Sequence, residues 1–185
     1  MQEEIEKFSA LLSRFNRVHN LTNFSHIDEQ IRDSLLPLTL FDGLFKRAKK
    51  AIDIGSGGGF PAVFLALKTP HISWILCEPN SKKAAFLTAV KCSLGLDNVA
   101  VFNDKIQNHP PFEADLITSR GVGKVDLLLR LSRGFYTPKT AFLLYKGSET
   151  PNEIAQTEFE FSSEVKLGEG FRQYLLLTQV KEGKC

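Results

Sequence analysis

Apolar residues fall at Ile5, Phe8, Leu11, Leu12, Phe15 and Val18, a spacing of three and four that predicts an amphipathic helix early in the chain. Ser25-x-x-Asp28 reads as a capping box that opens a second helix running to about Phe45. From residue 51 the period changes. Short apolar runs predict strands at 51–54, 73–77, 98–103, 114–118 and 140–145, and between them lie helices from Pro61, over 81–94, over 124–134 and near 151–157. Two closing runs, 158–167 and 171–180, are joined by Gly168-Glu169-Gly170 and read as a hairpin. This alternation predicts an α/β fold: a Rossmann-like, mostly parallel seven-stranded sheet that ends in an antiparallel hairpin and follows an N-terminal helical extension. The expected division is 1–48 for the extension and 49–185 for the sheet domain, packed as one unit.

Composition narrows the class. A chain of 185 residues, 43% hydrophobic and 24% charged, can bury a full core and is not disordered. It has no run of membrane-span length, and the acidic start "MQEEIEKF" is unlike a signal peptide, so a cytoplasmic protein is expected. Cys77, Cys92 and Cys185 lack any metal or disulfide spacing, and the four histidines form no ligand pattern. A net charge of +2 is too small to indicate a nucleic-acid binder by itself.

The chemistry is concentrated in "AIDIGSGGGFPAVFLALK", residues 51–68. Asp53 precedes Gly55, Gly57, Gly58 and Gly59 in the turn after the first strand, where a ligand of an open α/β sheet approaches the main chain. Phe60 is expected to be extended before Pro61, which suits a first helical position, and the turn's free N–H groups favour an anionic group. Glu78 ends the second strand, where a carboxylate can accept both hydroxyls of a ribose. A nicotinamide dinucleotide and S-adenosyl-L-methionine both fit these features. The Gly-x-Gly-x-Gly spacing and the closing hairpin favour the second.

"DIGSGGGFP", "EPNSKKAAFL" (78–87), "DLITSRG" (115–121) and "LLYKG" (143–147), with "HNLT" (19–22) and "DSL" (33–35), resemble the 16S ribosomal RNA guanine-N7 methyltransferases once called glucose-inhibited division protein B. The resemblance covers most of the chain. It implies a class I S-adenosylmethionine-dependent methyltransferase fold and methylation of N7 of a guanine in 16S ribosomal RNA, within a 30S subunit or an assembly intermediate. It places the cofactor on Asp53, Gly55, Gly57, Gly59, Phe60, Glu78, Ile106, Gln107 and Arg120. Three positions depart from the family pattern. Ala62 stands where the family has glycine, Lys105-Ile106-Gln107 where it has Arg-x-Glu, and Glu29-Gln30 where it has Arg-His.

The residues bear on that chemistry independently. An exocyclic amine acceptor calls for an Asn/Asp-Pro-Pro-aromatic loop after the fourth strand, whereas position 118 onward reads Thr-Ser-Arg-Gly. Carbon methylation of a pyrimidine calls for an activated cysteine, and none of the three is well placed. Guanine N7 carries an in-plane lone pair and no proton, so it needs only alignment. Arg120, directly after the fourth strand, is the expected catalytic residue, holding guanine O6 or a phosphate. Lys146 and Arg172 are the expected RNA contacts on an open basic rim. Lys46, Arg47, Lys49 and Lys50 lie at the opposite end of the sheet and read as a solvated face. A monomer is expected. A small-molecule methyltransferase and a non-catalytic nucleotide-binding assembly module are the alternatives.

Overall fold

The computed structural model describes residues 1–19 and 26–183. The first helix, α1, spans Gln2–His19, followed by α2 (Ile27–Leu40) and α3 (Asp42–Arg47). Ser25 of the expected capping box and most of "HNLT" lie outside the described residues, and α2 begins after His26, whose side chain caps nothing. The single helix expected to run to Phe45 is two helices. Phe41 leaves helical geometry at φ −130°, its ring is buried, and α3 starts beyond it.

Alternation then follows as the pattern predicts: β1 (Lys50–Ile54), α4 (Ala62–Lys68), β2 (Ser73–Cys77), α5 (Ser81–Leu94), β3 (Val99–Phe102), a 3-10 turn (Ile106–Asn108), β4 (Leu116–Arg120), α6 (Val125–Leu131), β5 (Ala141–Lys146), α7 (Thr150–Ala155), β6 (Phe159–Leu167) and β7 (Gln173–Glu182). The strands form one seven-stranded sheet in the order β3-β2-β1-β4-β5-β7-β6. The first five strands pair in parallel, while β7 runs antiparallel to both β5 and β6. The order reverses at β1 and β4, and it is outside the carboxyl ends of such strands that ligands of open α/β sheets bind.

Local chemistry explains the ends of these elements. Asn80 caps α5 by accepting from the backbone N–H groups of Lys82 and Lys83, and Gly95 ends the helix in the left-handed region at φ +62°. α4 starts at Ala62, with Pro61 at its cap rather than inside it, and the Phe60–Pro61 bond is cis.

The central strands are apolar on both faces, as strands covered on both sides must be. One core cluster holds Ile52, Ile54, Ile117, Phe142 and Leu175. The other joins the N-terminal helices to the sheet: fully buried Phe8 of α1 packs edge-on against Phe60, Phe64 and Phe86, with ring centroids 5.3, 4.9 and 5.7 Å away. α1 therefore supports the glycine turn from behind. Among the described residues no helix is long and apolar enough to cross a membrane.

Candidate active site

The turn after β1 crosses the carboxyl end of β2. The backbone N–H groups of Gly55 and Ser56 donate to the Cys77 carbonyl at 2.9 and 3.1 Å, and that of Gly59 donates to the Ser56 carbonyl at 2.7 Å. Positive φ at Gly55 (72°), Gly57 (53°) and Gly59 (88°) makes this path available. A Cβ on Gly55 would lie 2.3 Å from Val122 Cγ2, so the bare backbone of Gly55 makes room for the Val122 side chain of the β4–α6 loop. A Cβ on Gly57 would meet only the Gly55 carbonyl oxygen, at 3.7 Å, and otherwise faces open space.

The Gly57 amide donates to Glu78 Oε2 at 2.8 Å, and the Asn80 amide donates to Glu78 Oε1 at 2.8 Å. The Glu78 carboxylate is thus fixed from both sides and is 6% exposed. Each oxygen keeps a further acceptor position for an incoming hydroxyl. Most of the turn's amides are used within the protein: those of Gly55, Ser56, Gly57 and Gly59 have partners, and the helix behind them is only seven residues long. A pyrophosphate needs several such donors. A ribose seated on a carboxylate does not.

Asp53 lies beneath this turn, 1% exposed. Its Oδ1 accepts from Thr118 Oγ1 at 2.5 Å, and its Oδ2 has no hydrogen-bond partner among the described residues. Burial pushes its carboxyl up to about 7, against the opposing pull of the Ser56 and Thr118 hydroxyls and the nearby Arg120 charge.

A cavity of about 330 Å³ opens above the turn, lined by Gly55, Ser56, Gly57, Phe60, Glu78 and Arg120 among others. Gly58, which the sequence places in the ligand-facing turn, completes it with Pro79, Lys83, Gly121 and Val122, to which the sequence assigns no individual role. Ile106 and Gln107 do not line it. Ile106 is 2% exposed and packs into the core beside Ile54, Cys77 and Ala114, while Gln107 is exposed on the 3-10 turn. Asp53 and Gly59 support the lining from below and behind.

Arg120 is the last residue of β4 rather than the first of the following loop, in register with Tyr145 of β5, which is in register with Tyr174 of β7. Its Nη1 lies 2.9 Å from Asp33 Oδ2, and its guanidinium carbon is 5.3 Å from the centre of the Phe60 ring. Arg172 Nε lies 2.9 Å from Asp33 Oδ1, and its Nη1 donates to the Lys146 carbonyl at 3.2 Å. The Tyr174 hydroxyl donates to Asp33 Oδ1 at 2.8 Å, and the Tyr145 hydroxyl to the Ser34 carbonyl at 2.7 Å. Burial is the main reason that both tyrosines are pushed above the usual phenol range, and it pulls the Arg120 guanidinium down against the raising influence of Asp33. Asp33 of α2 is therefore a hub, although the sequence singles it out only as the first residue of "DSL".

Lys146 Nζ lies 2.6 Å from Glu153 Oε2 and donates to the Gly123 carbonyl at 2.8 Å, with its side chain 9% exposed. The open basic rim is thus corrected: Arg120 and Arg172 share Asp33, and Lys146 is matched by Glu153. The reason is tertiary, since α2 and α7 bring their acids to the ends of β4, β5 and β7. These cations surround a second cavity of about 430 Å³, lined by Gln30, Gly121, Gly123, Tyr145 and Glu153 as well, which meets the first at Arg120 and Gly121. Among the described residues no group of three or more His, Cys, Asp or Glu could hold a metal ion.

A switch-point cavity with a ribose-compatible carboxylate, above a glycine turn in a parallel sheet that closes antiparallel, defines a class I methyltransferase fold. The structure is similar to that of an MtNAS mutant solved in complex with S-adenosylmethionine, with a TM-score of 0.66 at 16% identity over 97% of this chain and 72% of that one. The sequence profile described as rRNA small subunit methyltransferase G matches residues 1–172. A ribosomal RNA small subunit methyltransferase G from Campylobacter hominis is 46% identical over 95% of this chain and 91% of its own, and one from Campylobacter curvus is 49% identical over 82% and 80%. The chain belongs to the rRNA small subunit methyltransferase G family.

Proposed function

We propose that this protein transfers the methyl group of S-adenosyl-L-methionine to N7 of a guanine in 16S ribosomal RNA. The substrate in this reading is RNA within a small subunit or an assembly intermediate, met in the cytoplasm by a monomer. The observation that carries it is Arg120, held by Asp33 where the glycine-turn cavity opens into the second one.

The residues present fit the cofactor. Glu78 offers acceptors for the ribose hydroxyls, Gly57 leaves the approach bare, and Phe60 and Arg120 close the far wall. When bound, the cofactor supplies a methyl group made electrophilic by the sulfonium that carries it. Arg120 presents planar donors at the junction and can hold guanine O6 while leaving N7 unencumbered. N7 would accept that methyl group on its own lone pair, so that no residue of the site would have to move a proton. The titratable groups of the second cavity are engaged in a manner that suits this. Glu153 accepts from Lys146 and from the Val125 amide at 2.9 Å, and the Tyr145 hydroxyl is spent on α2. Lys146 and Arg172 form the wall on the RNA side, acting as braced donors.

The test is radiolabelled methyl transfer from S-adenosyl-L-methionine to small subunits of a strain lacking this protein, followed by nucleoside analysis. N7-methylguanosine is the expected product. Another methylated nucleoside, or label that appears only on small molecules, overturns the reading.

A further inference from the structure

The two cavities continue into a third. Gln30, Lys146, Gly147 and Arg172 line both the second cavity and a groove of about 690 Å³ between α2 and the β6–β7 hairpin. Since Arg120 and Gly121 join the first two, one trough runs from the glycine turn to the hairpin tip. At that tip Phe171 lines the groove with 86% of its surface exposed, the most exposed large hydrophobic side chain among the described residues. The turn that carries it is braced. The Gly168 amide donates to the Arg172 carbonyl at 2.9 Å, the Arg172 amide donates to the Glu169 carbonyl at 3.2 Å, and the Arg172 side chain is fixed on Asp33. Across the groove stand buried Ile31 and half-buried Leu35 and Leu36 of α2.

Charge decides what such a groove takes. Arg172 and Lys146 are compensated by Asp33 and Glu153, and the third cation of the lining, the exposed Arg32, shares it with the acids Glu29 and Glu169, so that cations and acids balance along the groove. A path for phosphates would carry an excess of cations, whereas a base asks for an aromatic face and for neutral donors and acceptors at its edge. Resting on the RNA methylation proposed above, we infer that the groove is a subsite for a single-stranded nucleotide flanking the acceptor guanine, its base stacked on Phe171.

Phe171→Trp makes the platform visible, because the only native tryptophan, Trp74, is 1% exposed. A single-stranded oligoadenylate should quench the new emission saturably, while duplex RNA of equal length and inorganic polyphosphate should not. With small subunits as substrate, Phe171→Ala should raise KM about tenfold, with the loss carried by KM rather than kcat, and Phe171→Trp should restore it. An unchanged KM for Phe171→Ala overturns the subsite. So does quenching by polyphosphate equal to that by oligoadenylate, or quenching that grows with protein concentration without RNA, which marks a contact between copies. If the wild type fails to methylate subunits while oligoadenylate still quenches, the proposed reaction falls and the subsite stands.

Discussion

The Arg120 guanidinium and the Asp33 carboxylate meet at 2.9 Å, tying the end of β4 to α2 across 87 residues of sequence. Asp33→Ala removes the carboxylate that Arg120, Arg172 and the Tyr174 hydroxyl share, although Arg172 keeps the Lys146 carbonyl and Tyr174 the main-chain carbonyl of residue 33. Removing one partner of a buried ion pair costs about 3–5 kcal/mol, and the partial exposure of Asp33 puts this case nearer 2. Urea denaturation checks that. Single-turnover methyl transfer should fall more than tenfold, and Arg120→Ala added to Asp33→Ala should cost little more, since the two act as a unit. Full additivity would show that Asp33 does not work through Arg120.

Gly57→Val should abolish binding of S-adenosyl-L-methionine in calorimetry while the fold survives. The Cβ position is open, so no clash in the core is expected, but the added side chain enters the cavity and a β-branched residue is strained at φ 53°. Glu78→Gln turns an acceptor into a donor beside either the Gly57 or the Asn80 amide, and should weaken the cofactor at least tenfold.

Lys146→Ala and Arg172→Ala should slow turnover on subunits without flattening its salt dependence. A phosphate-bound lysine or arginine contributes about one unit to the slope of log affinity against log salt. Side chains already matched by Glu153 and Asp33 contribute much less. Loss of a full unit in either variant would show that the ion pairs open and the cations bind phosphate.

Asp53 sets a pH dependence. Its folded carboxyl is pushed up to about 7, whereas a free aspartate titrates near about 4, so between those values the folded chain holds a proton that the unfolded chain has lost. This group's contribution to stability therefore falls as pH rises from about 4 to about 7, by a few kcal/mol, and is flat above. Urea unfolding from pH 5 to 9 should show that slope in the wild type and lose it in Asp53→Asn.

Much of the fold is legible because local rules agree with the tertiary outcome. The run 73–77 is apolar and bounded by turn residues, and Asn80 and Gly95 mark the ends of α5. Phe41 escapes the same reading, since the helical spacing continues through it and only its non-helical backbone in the folded chain shows the break. In the site, the glycine turn and Glu78 are legible because their chemistry is consecutive in sequence. The compensation of Arg120, Arg172 and Lys146 is not. Asp33 meets Arg172 across 139 residues, a pairing that no local pattern encodes. Ile106 enters by the resemblance rather than by a local pattern, and its side chain lies in the core.

Strand order has a bearing on the protein's birth. β7 leaves the ribosome after β6 yet lies between β6 and β5, so in a nascent chain β6 has no native neighbour until β7 arrives. The same late strand carries Tyr174, and the residue just before it is Arg172, so both reach back to Asp33 near the chain's beginning. Contacts this distant in sequence form slowly. A growing chain can thus complete its glycine turn while α2 remains unclasped, and the finished mouth is assembled only as the final strand is threaded into place.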